Sequence, residues 1–349
     1  MPASSAANRP MLTPRFVSYS ANREDVLINR LFGAQPEGFY VDVGAAHPVY
    51  ENDTKALYDR GWHGINIEPN QSFFSELTAA RPRDHNFNLA VSDEPGWLTF
   101  HEVVGTGLST CDPEESRRAA AKGFQIVQRQ IKAETLQHIL EEVNPSAIDL
   151  LKIDVEGLEL QVLRSNDWSR FRPTLIVAEA TYPDSPIRRP DLLTPFLAEI
   201  GYRRVYFDGL NDYFIENDFA LPDAIFDSPP NVFDRIAGYV EQNLVQERDA
   251  ALAYIASLES EIARAHEAII STRNRSTALA EQLESMSIRT YGKSRESAGG
   301  AQRSLSGGGY VAQDRVITPV RLLFIRLLGA LRRPRRTLRI LLNGRGGVD

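Results

Sequence analysis

Five short apolar runs govern what this chain is able to form. They are Phe39–Val43, Gly64–Ile67, Phe87–Val91, Ile148–Ile153 and Thr174–Glu179, and roughly twenty or more residues separate each from the next. Apolar strands alternating with longer helical stretches predict βα units on a mostly parallel sheet. Further on, Tyr202–Phe207 and Tyr213–Glu216 flank Asp208-Gly-Leu-Asn-Asp212. That arrangement predicts an antiparallel hairpin. Together these runs predict an α/β domain over residues 15–235.

The chain has 349 residues, enough for a second unit or for extensions. Residues 1–14 are small, polar and proline-containing, and are expected to be disordered. Residues 236–290 predict a coiled coil or long amphipathic helix. Ile255, Leu258, Ile262, Ala265 and Ile269 step by 3, 4, 3 and 4, and the seam resumes at Leu279, Leu283 and Met286. The competing expectation is a helix packed back on the domain. Residues 291–315 are Gly/Ser-rich and read as a linker.

The last segment, 316–349, carries eight Arg and one Asp, a surplus of seven positive charges. The formal charge of the whole chain is −7, so the first 315 residues carry −14. An acidic body argues against nucleic-acid binding, because phosphate neutralisation wants a basic face on the body. Large aliphatics interleaved with Arg over 316–342 suit an anionic membrane surface, with a protein partner as the alternative. One cysteine excludes a disulfide framework or a Cys-built zinc site, and the six histidines show no ligand spacing. No resident metal is assigned from the sequence. With no apolar run long enough to span a bilayer and no secretory leader pattern, the expected location is the cytoplasm, with peripheral contact at the inner membrane face.

Four segments carry chemistry. Phe39-Tyr-Val-Asp42-Val-Gly44-Ala45-Ala46-His47 runs a strand into a turn of small residues, which lets the backbone approach a ligand. An ordinary tight βα turn is the plain alternative. Gly64-Ile-Asn-Ile-Glu68 ends the next strand in a carboxylate, 24 positions after Gly44. A carboxylate there is placed to accept both hydroxyls of a ribose, so an adenosine-type ligand is the better reading. The stretch Asn86–Asp93 would then sit beside an adenine ring. Leu150-Leu-Lys-Ile-Asp154-Val-Glu156-Gly-Leu-Glu159 ends a further strand in carboxylates. These could position or deprotonate a hydroxyl, or hold a hard divalent cation, or cap the following helix.

The order and spacing of six stretches resemble the FkbM family of S-adenosylmethionine-dependent methyltransferases. They are Tyr19–Asp25, Val41–Ala45, Gly61–Pro69, Gly105–Thr110, Leu151–Gly157 and Tyr206–Asn211, within about Phe16 to Phe233. The resemblance implies a Rossmann-like class I fold, a mostly parallel seven-stranded sheet with an antiparallel last strand. It implies S-adenosylmethionine as cofactor. Gly44 and Ala45 would face its methionine part, with Asp42 behind them. Glu68 would hold the ribose, and Ala90, Val91 and Ser92 would border the adenine. Ser20 and Asp25 would close over cofactor or substrate. Asp154 and Glu156 would line the transfer site, and His47 is a further candidate base. One departure is visible: Ala46 stands where many members carry Asn. Its missing side chain removes a polar contact that His47 would have to replace.

The resemblance further implies O-methylation of a sugar hydroxyl in a polysaccharide, glycolipid or related glycoconjugate. Trp62, Tyr206, Phe207, Tyr213 and Phe214 are candidates for stacking on sugar rings or, more commonly, for core packing. The helix and basic tail suggest a homo-oligomer placed near membrane-bound acceptors. Two other readings compete: a nicotinamide dehydrogenase, which uses a similar glycine turn, and a coiled-coil membrane adaptor with a degenerate domain.

Overall fold

The computed structural model describes residues 16–297, with side chains through residue 289. The expectations for residues 1–14, for the basic tail and for the linker beyond residue 297 lie outside the described residues. In chain order the elements are β1 (Phe16–Ser18), α1 (Glu24–Phe32), β2 (Phe39–Val43), α2 (Lys55–Asp59), β3 (His63–Ile67), α3 (Gln71–Ala80), β4 (His85–Phe87), β5 (Ala90–Val91), β6 (Gly96–Val103) and α4 (Pro113–Ala121). They continue as β7 (Ile126–Glu134), α5 (Leu136–Val143), β8 (Leu150–Ile153), α6 (Glu159–Arg164), β9 (Leu175–Glu179), α7 (Leu193–Glu199), β10 (Tyr202–Phe207), β11 (Asn211–Glu216), β12 (Ile236–Gly238) and α8 (Tyr239–Ser297).

The main sheet has the order β10-β11-β9-β8-β2-β3-β4. The strands from β4 across to β9 are parallel, and β11 is antiparallel to both its neighbours. The hairpin expected over 202–216 supplies that reversed strand. Its turn is closed by Asp208, whose Oδ1 accepts the amides of Leu210 at 2.8 Å and Asn211 at 2.7 Å.

Side chains alternate along each strand, so both faces of the sheet bury an apolar layer. Val41, Val43, Ile65, Ile67, Leu151 and Ile153 pack with Leu136, Ile139, Val162 and Leu197 from α5, α6 and α7. Tyr40, Leu150, Leu175 and Val177 pack on the other face with Leu27, Ile28, Leu57 and Phe226. Trp62, Tyr213 and Phe214 lie in these layers and are fully buried, so they do not stack on a sugar. Tyr206 instead stacks on Phe226 at 6.0 Å.

Three local expectations are corrected. Phe87–Val91 is not one strand: β4 ends the main sheet, and β5 joins β6 and β7 in a separate sheet of order β5-β7-β6. Asn88 breaks the run, its Nδ2 donating to the carbonyls of Glu68 at 2.9 Å and Pro69 at 3.0 Å. The long β6–β7 ladder was not foreseen, because Gln128, Arg129 and Gln130 face solvent and dilute the apolar signal. Finally, Ile236–Gly238 is a strand paired in parallel with Phe16–Ser18, so the long helix starts at Tyr239 rather than 236.

Contacts divide the chain into units at Glu259, and all strands belong to the first. The helix runs on to Ser297, into the segment read as linker. Its seam residues Ile255, Ile262, Ile269, Leu279 and Leu283 are exposed. No described helix is long and apolar enough to cross a membrane.

Candidate functional site

Strand β2 delivers the chain into a turn that only glycine fits. Gly44 has φ +85°, and a Cβ there would stand 1.9 Å from the carbonyl oxygen of Asp154. The amides of Gly44 and Ala45 both donate to the Ile67 carbonyl, at 2.9 and 3.2 Å. Ala46, at φ +49°, points its amide to Glu68 Oε2 at 2.7 Å. The turn is held from beneath by a buried polar network. Asn52 Nδ2 donates to the carbonyls of Ala45 and His47 at 3.0 and 3.1 Å. The fully buried Arg81 donates to Thr54 Oγ1 and to the Pro48 carbonyl, each at 2.8 Å, and to Asn52 Oδ1. Thr54 in turn donates to Asp42 Oδ2 at 2.8 Å. Asp42 and Ala45 thus support the turn rather than line the cleft above it.

Glu68 closes the opposite side. It is buried, and its Oε1 accepts the Asn70 amide at 2.7 Å. Burial pushes its carboxyl up to about 7, against the two amide bonds that favour the charged form. Each oxygen takes one N–H and keeps a further acceptor direction. Asn70 also caps α3, accepting from the amides of Ser72 and Phe73, which sets Phe73 on the cleft wall.

The cleft between these groups is open to solvent, and about 600 Å³ of space free of protein atoms, open solvent included, lies in it. Gly44, Glu68, Ala90, Val91 and Asp154 all line it, joined by the apolar Phe73, Leu89 and Phe100. Ser92 does not: its amide donates to the Glu134 carbonyl at 3.0 Å, and its hydroxyl turns to Asp93. The far wall comes from Gly107, Ser109, Thr110 and Cys111. No role had been given to these residues, although the Gly105–Thr110 stretch was a visible signal. Thr110 Oγ1 donates to the Glu156 carbonyl at 2.9 Å, tying this loop to the end of β8.

Carboxylates gather at that end. Asp154 Oδ2 accepts from Lys152 Nζ at 3.0 Å, and the same buried ammonium lies 3.4 Å from Asp53. Burial alone would lower the Lys152 pKa, but the charges of Asp154, Asp53 and Asp42 outweigh it and hold it well above its usual value. Glu156 is buried at φ +57°, and its Oε2 has no hydrogen-bond partner. Burial, then the charges of Asp154 and Glu159, push its carboxyl well above the ordinary range. Glu159 accepts the Gly157 amide at 2.9 Å and is the first residue of α6, where its charge suits the helix N-terminus, although the cap position is Leu158 and makes no side-chain cap bond. Glu179 ends β9, is buried, and also has an Oε2 without a partner. Sequence reasoning missed Glu179, though it ends an apolar run in a carboxylate just as Glu68 and Asp154 do.

Three candidates sit elsewhere. His47 Nδ1 accepts the amides of Val49 and Tyr50, each at 3.0 Å, and Nε2 lies 3.2 Å from Glu76. Burial lowers its pKa despite the Glu76 charge. Both ring nitrogens are therefore engaged away from the cleft. Asp25 accepts from Ser18 Oγ at 2.6 Å and from the Tyr19 and Ser20 amides, while its own amide donates to Ser20 Oγ at 3.0 Å. These bonds knit the 18–25 loop, and neither Ser20 nor Asp25 lines the cleft.

A parallel sheet with one reversed strand next to its edge, and a cleft beyond the carboxyl ends of β2, β3 and β8, define an α/β protein consistent with a methyltransferase fold. The family model of the methyltransferase FkbM domain matches residues 42–219. The chain belongs to this family, whose members imply a methyl donor. A comparison with curated proteins gives no match.

Proposed function

We propose that the protein is an S-adenosylmethionine-dependent O-methyltransferase acting on a sugar hydroxyl of a polysaccharide, glycolipid or related glycoconjugate. The observation that carries this reading is Glu68, pinned by the Ala46 and Asn70 amides with acceptor capacity left on each oxygen, opposite a turn that admits only glycine. That donor set fits the group. Glu68 would accept the ribose hydroxyls, Gly44 would face the amino-acid portion, and Ala90, Val91 and Phe100 would cover the adenine. S-adenosylmethionine, when bound, supplies an electrophilic methyl group.

The chain's own task is then alignment of a hydroxyl and removal of its proton. Asp154 lines the cleft with its rotamer fixed by Lys152, and Glu156 lies beside it. Asp154 would accept the proton of the acceptor hydroxyl, and Glu156 would orient that hydroxyl. His47 is the weaker candidate, because Val49, Tyr50 and Glu76 occupy its nitrogens. Self-association through the exposed seam of α8, and contact of residues 316–342 with an anionic cytoplasmic membrane face, would bring the enzyme to membrane-bound acceptors. A chain ending at Glu259 that stays oligomeric and binds anionic vesicles as well as the full chain would exclude both roles.

Calorimetric titration of the full chain with S-adenosylmethionine, its demethylated product and NAD tests the core of the reading, with Glu68→Ala as control. Binding of the first two, lost in the variant, is expected. Binding of NAD alone supports the dehydrogenase reading, and binding of none supports the adaptor. Transfer of a labelled methyl group to a glycan pool tests the acceptor class.

A further inference from the structure

Three carboxylates converge at the carboxyl ends of β8 and β9, beside the cleft. One oxygen each from Asp154, Glu156 and Glu179 lies within 4.8 Å of the other two. Oxygens held by one Ca²⁺ at about 2.4 Å are at most about 4.8 Å apart, and those on one Mg²⁺ at about 2.1 Å at most about 4.2 Å apart. The three side chains are therefore close enough to share one cation of the larger kind, with a small inward adjustment for a smaller one.

The cluster has the donors, and its one ion pair among the described residues is Lys152 with Asp154. Oε2 of Glu156 and Oε2 of Glu179 are buried without a hydrogen-bond partner, in residues only 7% and 6% exposed. Lys152 is shared between Asp154 and Asp53, Arg188 pairs with Asp212 and Arg189 with Glu115, so the Lys152 and Arg189 charges reach Glu156 without an ion pair. None forms an ion pair with Glu156 or Glu179 among the described residues. Buried carboxylate oxygens without partners are costly unless a proton or a metal ion joins them.

We propose that Asp154, Glu156 and Glu179 bind one hard divalent cation of the Mg²⁺, Mn²⁺ or Ca²⁺ class at the inner edge of the cleft. All donors are carboxylate oxygens, the ligand type such ions prefer. Three protein ligands leave positions open for water or for an acceptor oxygen. The purpose of the ion rests on the methyl-transfer reading: a sugar hydroxyl bound to the cation is a stronger acid, so less is asked of the group that takes its proton.

The full chain, stripped with chelator, is titrated with Mn²⁺ while free Mn²⁺ is followed by electron paramagnetic resonance. A single Mn²⁺ per chain, displaced by Mg²⁺ or Ca²⁺, is expected. Glu156→Gln and Glu179→Gln should each weaken uptake by at least about tenfold. S-adenosylmethionine titration of Glu179→Gln, expected to stay within about twofold of wild type, shows that the variant is folded. Absence of saturable Mn²⁺ uptake by the wild type, or undiminished uptake by both variants, overturns the proposal. Metal uptake by a chain that binds no S-adenosylmethionine upholds the site and sinks the methyltransferase reading. Cofactor binding without metal uptake does the reverse.

Discussion

A methyl group on Gly44 would stand 1.9 Å from the carbonyl oxygen of Asp154, so the ends of β2 and β8 meet backbone to backbone. The contact joins the proposed cofactor turn to the proposed transfer site. Gly44→Ala must move one of them, and it also forces a residue with a Cβ to φ +85°. We expect a loss of about 2 kcal/mol or more of stability together with loss of S-adenosylmethionine binding. Chemical denaturation and calorimetry check this. Wild-type values in both would mean the turn tolerates the shift.

If Glu68 holds the cofactor as proposed, affinity should depend on pH. Its carboxyl is pushed up to about 7 by burial, and on the proposed reading ribose hydroxyls would donate to the ionised form. Affinity should stay flat above pH 7 and fall below it, approaching about tenfold per pH unit. The sign for stability is separate. The native state binds this proton more tightly than an unfolded chain with the ordinary value of 4.5. Between 4.5 and about 7 the native state therefore holds more protons, and this group's contribution to stability declines as pH rises through that window. Glu68→Gln should flatten both slopes, as titrations and melting curves at pH 5.5 to 8 would read.

Arg81 is the centre of the network under the glycine turn, and it is fully buried. Arg81→Met keeps much of the volume but strips partners from Thr54, Asn52 and the Pro48 carbonyl. It should cost about 3 kcal/mol, within the range for breaking a buried charged group out of its bonds. Urea unfolding measures it, and a change below about 1 kcal/mol would show that the network carries little.

The seam of α8 is predicted to hold copies of the chain together. Replacing Ile255, Ile262 and Ile269 with Asp places charge at three exposed seam positions, each one heptad from the next. The triple variant should sediment as a monomer where the wild type does not, with cofactor affinity unchanged. A wild-type chain that is already monomeric would remove the oligomer from the proposal.

Much of this architecture is legible in the sequence. Strand β2 occupies the five residues its apolar run marked, and β3, β8 and β9 lie within a residue or two of theirs, because strands buried on both faces read as continuous apolar runs. Gly44, Glu68, Ala90, Val91 and Asp154 were named from local pattern or resemblance, and all five reach the cleft. The misses share a cause. Asn88 spends its side chain on carbonyls from another segment, which no local pattern announces. His47 looked free because its partner Glu76 lies on a helix 29 positions away.

By itself, the sequence determined the strands of the main sheet, the reversal at Asp208-Gly209, the carboxylates at strand ends and the heptad seam, since each is written in residues that are neighbours along the chain. Only the tertiary structure decided which of those groups meet. Asn211 donates to Glu24 at 3.0 Å across 187 positions, tying the two terminal motifs together. Glu179 joins Asp154 and Glu156 because β9 lies beside β8, while Asp25 is consumed in its own loop and Ser20 is shared between that loop and Asp53. Periodicity reports which face of an element is buried. The order of strands in the sheet decides which ends converge, and that order is set by long-range packing, which local spacing does not encode.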